Sequence, residues 1–282
     1  MTDSGSNLLS LRVTVRYPGK PPVLNAVAIE IGSGEIVGLV GQSGSGKSTL
    51  ALAILGLLGR RRATIEGSIS WKGKDLMNMS ERGLRDLRGR LISLVLQSPL
   101  SSLNPALRIR SQLREAWRAH TSGSGLECDK AIASAMTSVS LPADRDFLKK
   151  FPSQLSVGQA QRVLIAMAVM HRPALLIADE ATSALDVITQ SEILQLFAKL
   201  HRDTGMSVLY ISHDLPSVAG ICDRIAILHE GQIAECGTTE QIFCSPKHPY
   251  TQRLMASLPR LDDFKQTSSR RLHTATFAGR AE

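Results

Sequence analysis

Aromatic side chains are scarce in this 282-residue sequence, only 4% of the total, so aliphatic side chains must carry the core. Long apolar runs are missing as well. The longest, over 50–58, is about half of the roughly 20 residues a bilayer-crossing helix needs, and it reads as a buried helix. Residues 1–7 have neither the basic nor the apolar region of a signal peptide. That predicts a chain that stays in the cytoplasm and reaches a membrane only through a partner. The four cysteines, Cys128, Cys222, Cys236 and Cys244, form no CxxC pair, so free thiols are expected rather than a metal centre. Basic residues are scattered, and the one tight run, Arg60-Arg61-Arg62, has no interleaved aromatics, which argues against dedicated nucleic-acid recognition. What is present is a net charge of +8. It suits plain solubility, local phosphate binding, or the anionic inner face of a membrane. The length allows one large α/β domain or a core with a smaller inserted subdomain.

Hydrophobic alternation predicts strands over 11–15 and 23–31, and a short apolar strand over 35–40 that runs into glycines. A helix is predicted over 47–58, a strand over 68–71, a polar helix from an N-cap at Ser80 to 88, and a core strand over 91–96. From 98 to about 154 the strand pattern disappears. Helical stretches over 109–120 and 131–138 flank a polar link, 121–125, and this region reads as an inserted helical subdomain. Beyond it come a helix over 158–170, a strand over 174–178, a helix over 187–201, a strand over 207–211, a helix over 215–220 and a strand over 224–228. Such alternation implies a parallel sheet covered on both faces. Glu230-Gly231 marks a turn into a last strand over 232–235, and Thr238-Thr239-Glu240-Gln241 starts a capped helix. From 260 the chain is basic and rich in Ser and Thr, as loose tails are.

Gly41-Gln42-Ser43-Gly44-Ser45-Gly46-Lys47-Ser48 fits the pattern G-x-x-x-x-G-K-[ST], between a predicted strand and a predicted helix. Glycines let successive backbone amides converge on one anion, and the following helix points its positive end at the same place. Lys47 would put a cation on the β- and γ-phosphates of a nucleotide, and the Ser48 hydroxyl would ligate Mg²⁺.

The apolar strand over 174–178 ends in Asp179-Glu180. In a parallel sheet the C-terminal strand ends line the ligand crevice. Asp179 can hold Mg²⁺, and Glu180 can polarise a water for in-line attack on the γ-phosphate. Alone, such a pair would serve equally well as an N-cap or a solvated surface. His213, at the end of the strand over 207–211, can reach a γ-phosphate. Gln97, at the end of the strand over 91–96, can offer an amide oxygen to Mg²⁺ or water. Without the phosphate loop each would read as an ordinary surface residue.

These residues, in this order, resemble the nucleotide-binding subunits of ABC transporters over roughly 8–256. Leu155-Ser156-Val157-Gly158-Gln159 is similar to that family's LSGGQ signature, and Ser183-Ala184-Leu185-Asp186 to its D-loop, with Ser183 and Asp186 as the polar members. Gln97 matches the Q-loop and His213 the switch histidine. Tyr17 stands where an aromatic stacks on adenine, a position that a core tyrosine would also suit. The segments 97–105 (QSPLSSLNP) and 245–251 (SPKHPYT) resemble the oligopeptide, dipeptide and nickel importer branch.

The resemblance implies an α/β fold: a P-loop NTPase (RecA-like) core, an antiparallel β subdomain, and an α-helical insert over 98–156. A basic tail over 257–282 follows. It implies ATP on Tyr17 and on Gly41, Gln42, Ser43, Gly44, Ser45, Gly46, Lys47, Ser48 and Thr49, with Mg²⁺ on Ser48, Gln97 and Asp179. Glu180, His213 and Gln97 would serve catalysis. Ser156, Val157, Gly158 and Gln159 would close the ATP site of a second cassette. The implied partners are that cassette, a pair of membrane permeases and, indirectly, a solute-binding protein. The implied location is the cytoplasmic face of the membrane, and the implied task is driving uptake of peptides or a similar solute. A soluble ATPase of the carbon–phosphorus lyase type is the alternative. Two departures stand out: Val157 replaces the usual glycine, and Ala181 stands where proline is common. No cysteine follows Cys244 in this sequence, whereas some peptide-branch members carry a cysteine-rich tail.

Overall fold

Leu9, Leu11, Val13 and Val15 point inward along β1 (Asn7–Arg16), while Arg12 and Arg16 face solvent. This period-two pattern lets a strand cover a core with one face. The computed structural model describes residues 7–59 and 62–258. Arg60 and Arg61 of the basic run, and the tail from 259 on, lie outside the described residues.

β1 pairs antiparallel with β2 (Leu24–Gly32) and with β4 (Thr64–Trp71), and β4 pairs with the two-residue β5 (Lys74–Asp75), giving the order β2-β1-β4-β5. β4 starts at Thr64 rather than at Ser68, because Thr64–Gly67 continue the ladder with Arg16–Val13 despite their polar character. The second sheet has the order β10-β9-β3-β8-β7-β6. Its strands are β3 (Ile36–Val40), β6 (Ile92–Val95), β7 (Leu175–Asp179), β8 (Ser207–Ser212), β9 (Arg224–His229) and β10 (Gln232–Thr238). Five of them run parallel, and only β10 is antiparallel, to β9. Every residue of β3, β7 and β8 is buried, as expected for strands covered on both faces.

One core lies between the two sheets, where Leu50 and Ile54 of α1 (Lys47–Ile54) meet Val13, Leu24, Leu39, Ile177 and Leu209. The helix stops at Ile54, short of 58, because Leu55 caps it and Gly56 takes a left-handed φ of +63°. The opposite face of the parallel sheet is covered by α7 (Val157–Val169), α8 (Val187–Thr204) and α9 (Leu215–Ala219).

The insert contains α3 (Pro99–Ser102), α4 (Ile109–Arg118), α5 (Gly125–Ser138) and α6 (Arg145–Leu148), then a single 3-10 turn over Pro152–Gln154. Its own packing uses Leu113, Trp117, Ile132, Met136 and Phe147. α5 begins in what reads as a polar link: the Ser124 hydroxyl accepts from the Glu127 amide, and the Glu127 carboxylate accepts from the Ser124 amide. Between β4 and β6 lies α2 (Glu81–Leu87), capped by Ser80. The described chain closes with α10 (Thr239–Cys244) and α11 (Pro249–Ala256).

Candidate functional site

Strand register brings the chemistry to one edge. Val40 lies opposite both Ser212 and Ile227, Ala178 opposite Val95, and Asp179 opposite Ile211. The residues that follow these strands therefore share the C-terminal rim of the sheet: Gly41, Gln97, Asp179-Glu180 and His213.

The loop from Gly41 to Gly46 turns sharply. Gly44 has φ +82°, and Gly46, which caps α1, has φ +107°. A Cβ on Gly46 would press into Val23 and Leu24, so only glycine fits between the loop and the start of β2. That approach puts Val23, at the end of the β1–β2 connection, beside the loop. Tyr17, earlier in the same connection, is half-buried and is not among the buried core residues.

Lys47 is 4% exposed, and its ammonium donates to the carbonyls of Gly41 (2.8 Å) and Gln42 (3.1 Å). It also sits 3.4 Å from Glu180 Oε1. Glu180 takes a left-handed φ of +49°, and its amide donates to the Ile211 carbonyl at 2.9 Å. Its carboxylate meets three neighbours. Gln97 Nε2 donates to Glu180 Oε2 at 3.1 Å, and His213 Nδ1 lies 3.5 Å from the same oxygen. Lys47 from the start of α1 and Gln97 and His213 from beyond two strand ends thus converge on one carboxylate.

Asp179 is buried differently. Its Oδ1 has no hydrogen-bond partner, and neither has the buried Ser45 hydroxyl. Burial raises the Asp179 pKa, a hydrogen bond from Ser48 lowers it, Glu180 raises it and Lys47 lowers it, with burial the largest influence. An orphaned buried carboxylate oxygen next to a hydroxyl is a donor set that suits a hard cation such as Mg²⁺. Beside Glu180, Ser183, His213 and Asp214 line a cavity of about 300 Å³. Two of its features had no sequence signal: Gln190 of α8 donates to Asp214 (3.1 Å), and the Thr182 hydroxyl meets the buried Tyr210 phenol (2.8 Å).

Ser156 and Gln159 lie elsewhere, at the start of α7. The Ser156 hydroxyl accepts from the Gln159 amide and the Gln159 side chain accepts from the Ser156 amide, each at 3.2 Å. Val157 and Gly158 occupy the first turn, whose leading amides have no partner within the helix. Val157 is 38% exposed. Gly158 abuts α8: a Cβ there would come 2.7 Å from Thr189 Cγ2. Thr189 is held in turn by Asp186, whose carboxylate accepts from the Thr189 amide (3.0 Å) and hydroxyl (2.8 Å). Ser183 donates to the Glu180 carbonyl at 3.0 Å. The 183–186 loop therefore connects Glu180 to the 156–159 turn. Among the described residues no hydrogen bond or ion pair joins 156–159 to the phosphate loop of the same chain.

A family model described as "ABC transporter" matches residues 24–183. The chain belongs to the ABC transporter family. It is an ATPase of the ABC type. A second model, the oligopeptide/dipeptide transporter C-terminal region, matches 234–278. The dipeptide transport ATP-binding protein DppD of Bacillus subtilis is 42% identical over 247 residues, which cover 87% of this chain and 74% of the relative. The oligopeptide transport ATP-binding protein OppD of Escherichia coli is 40% identical over 261 residues, covering 92% and 77%. Among solved structures, the dimeric cassette MJ0796 bound to ADP and Pi matches with a TM-score of 0.69 and 29% identity, over 82% of this chain and 98% of that one. The cassette cbiO1 of Clostridium perfringens matches at a TM-score of 0.76 over 93% of this chain and 99% of that one; at 24% identity it speaks for the ABC cassette fold alone.

Proposed function

We propose that this ABC ATPase binds MgATP on the phosphate loop and drives a membrane importer for peptides. The observation that carries the reading is the convergence of Lys47, Gln97 and His213 on Glu180, next to the orphaned oxygen of Asp179. The match over 234–278 and the dipeptide and oligopeptide relatives favour the peptide branch over a soluble carbon–phosphorus lyase-type machine.

In this reading Lys47 exchanges partners. Its ammonium leaves the Gly41 and Gln42 carbonyls and Glu180 for the β- and γ-phosphates, with the loop amides around them. Glu180, released from its ion pair, accepts a proton from the attacking water, while Gln97 and His213 orient that water and the γ-phosphate. Mg²⁺, when bound to Ser48, Asp179 and Gln97, would neutralise charge on the phosphates. Tyr17 would stack on the adenine, and Gly41 to Thr49 would hold the phosphates.

The Ser156 to Gln159 turn, with its free leading amides, would seal the γ-phosphate of a second cassette, and Ser183 and Asp186 would line that contact. Residues 8–256 would form the cassette, with the 98–156 insert meeting a pair of permeases at the cytoplasmic membrane face. An apolar groove of about 260 Å³ beside Gln97, between Leu94, Leu96, Leu164 and Met167, is where a permease segment would seat. An external solute-binding protein would deliver the cargo. Titration calorimetry of the full chain with ATP and Mg²⁺ tests the core of this reading: saturable binding is expected, and none would overturn it. Co-purification with a detergent-solubilised permease tests the transport partner.

A further inference from the structure

α11, the last helix among the described residues, faces the phosphate loop across a cavity, outside the site described above. Val40–Ile227 is the last pair of the β3–β9 ladder; beyond it Gly41 packs against the Leu228 carbonyl, and Gln42 and His229 line one cavity. The fit is tight: a Cβ on Gly41 would overlap the Leu228 carbonyl and come 2.6 Å from Ser45 Oγ. The Leu228 carbonyl therefore packs directly against the first residue of the loop, where a displacement of the strand end would be felt. His229 is fixed in turn by α11. Its ring stacks on Tyr250 with centroids 3.6 Å apart and planes 12° from parallel.

Tyr250 is 7% exposed, and its hydroxyl is buried without a partner, so the ring is held for its face rather than for a hydrogen bond. The start of α11 is clamped as well. The Glu235 carboxylate on β10 accepts from the amides of Lys247 (2.8 Å) and His248 (3.0 Å), and His248 Nδ1 accepts from the Tyr250 amide (3.1 Å). A cavity of about 340 Å³ separates Gln42 from Arg253 and Leu254, which leaves the stacked pair as the ring contact that bridges helix and strand beside the loop.

We propose that α11, acting through the His229–Tyr250 stack, holds the phosphate loop in its binding geometry, so that His229 and Tyr250 are positioning residues for nucleotide affinity. The inference rests on reading 41–48 as the nucleotide loop. It gives the segment matched to the peptide-transporter C-terminal region a part in ATP binding. Neither ring touches nucleotide. Their loss should raise Kd and the KM for ATP while leaving kcat within about twofold, since removing a pre-organising contact weakens binding without changing the reacting groups.

The test measures MgATP affinity and ATPase KM and kcat on the full chain, with unfolding midpoints alongside. His229→Ala and Tyr250→Ala should each weaken MgATP binding by about fivefold, the size of an aromatic pair contact. His229→Phe and Tyr250→Phe, which keep a stackable face, should stay within about twofold of the parent. The double variant His229→Ala/Tyr250→Ala should be no weaker than the poorer single one, because the two rings act as a unit. His229, on a strand end and partly exposed, decides the matter if Tyr250→Ala does not fold. Unchanged affinity in a folded His229→Ala would overturn the proposal, as would additive losses in the double variant or a His229→Phe variant no better than His229→Ala. Failure of the parent chain to bind MgATP would instead overturn the phosphate-loop assignment.

Discussion

The rim of the parallel sheet and the turn at the start of α7 satisfy their polar groups in opposite ways. At the rim, burial comes first: Lys47 is enclosed, Asp179 keeps an oxygen without a partner, and so does the Ser45 hydroxyl. Buried polar groups left in that state cost free energy, and are retained where a ligand completes them. At the turn, Ser156 and Gln159 close a capping box with each other, and an apolar Val157 faces solvent. The rim keeps two buried oxygens, Asp179 Oδ1 and Ser45 Oγ, without partners, and the turn is a closed cap that offers only leading amides. One region should therefore respond to substitution through nucleotide chemistry. The other should respond through association.

The sharpest test of the rim is Glu180→Gln. The amide keeps the shape but cannot accept the water's proton, so hydrolysis should fall by roughly 10²–10⁴-fold while ATP binding persists. A single-turnover assay beside an equilibrium binding measurement separates the two, and undiminished turnover would remove Glu180 from its role. Next in size is Lys47→Ala, which takes the only side-chain cation from the loop. Charge-assisted contacts of this kind suggest a loss of about 30-fold or more in nucleotide affinity, read by calorimetry.

A smaller and more diagnostic effect belongs to Asp179. Burial raises its pKa, so the folded state holds the proton more tightly than the unfolded chain does. The sign follows: stability from this group is fully present below the ordinary carboxylate range and is lost as pH rises through the raised folded value. Asp179→Asn removes the charge. Without nucleotide and Mg²⁺ it should raise the unfolding midpoint at pH 7 by roughly 2–4 °C, a difference that vanishes in acid where the parent carboxyl is protonated. The same variant should lose the Mg²⁺-dependent gain in ATP affinity. A parent and variant with identical midpoints at both pH values would mean that the buried carboxylate carries no penalty.

The two regions also differed in how far the sequence could be read. β3, β7 and β8 are buried on both faces, so they stand out as unbroken apolar runs, and the residues after them fall on the rim by strand geometry alone. The convergence on Glu180 needed the structure, because its left-handed backbone and the register of β6 against β7 decide where three side chains meet. Ser124-x-x-Glu127 and Asp144 are ordinary helix starts, yet α5 was expected only from 131 and α6 not at all. α11 begins with Pro249 after His248, a start signal that lies inside the 245–251 segment resembling the importer branch. The contact of Gly158 with Thr189 joins positions on different helices, and no spacing rule could announce it.

The weakest expected effect lies at the turn, and it bears on whether the two ends of a cassette pair are equal. Val157 occupies the first position of α7, exposed, beside amides that would face the partner's γ-phosphate. A β-branched side chain there would narrow the approach, and the ATP site that this turn completes would then be the weaker one of a heterodimer. Val157→Gly removes the obstruction at a helix-propensity cost of about 0.5–1 kcal/mol at most, and less at a first-turn position where the backbone is already half free. Nucleotide affinity of the lone chain should not change, since the turn does not touch its own phosphate loop. ATP-driven association and turnover in the assembled complex should rise, by less than about tenfold, because one exposed side chain contributes little next to the phosphate contacts. Light scattering with and without ATP, together with the ATPase rate of the complex, reads both. If neither moves, Val157 points away from the partner's nucleotide, and any inequality between the two sites must come from the partner's sequence.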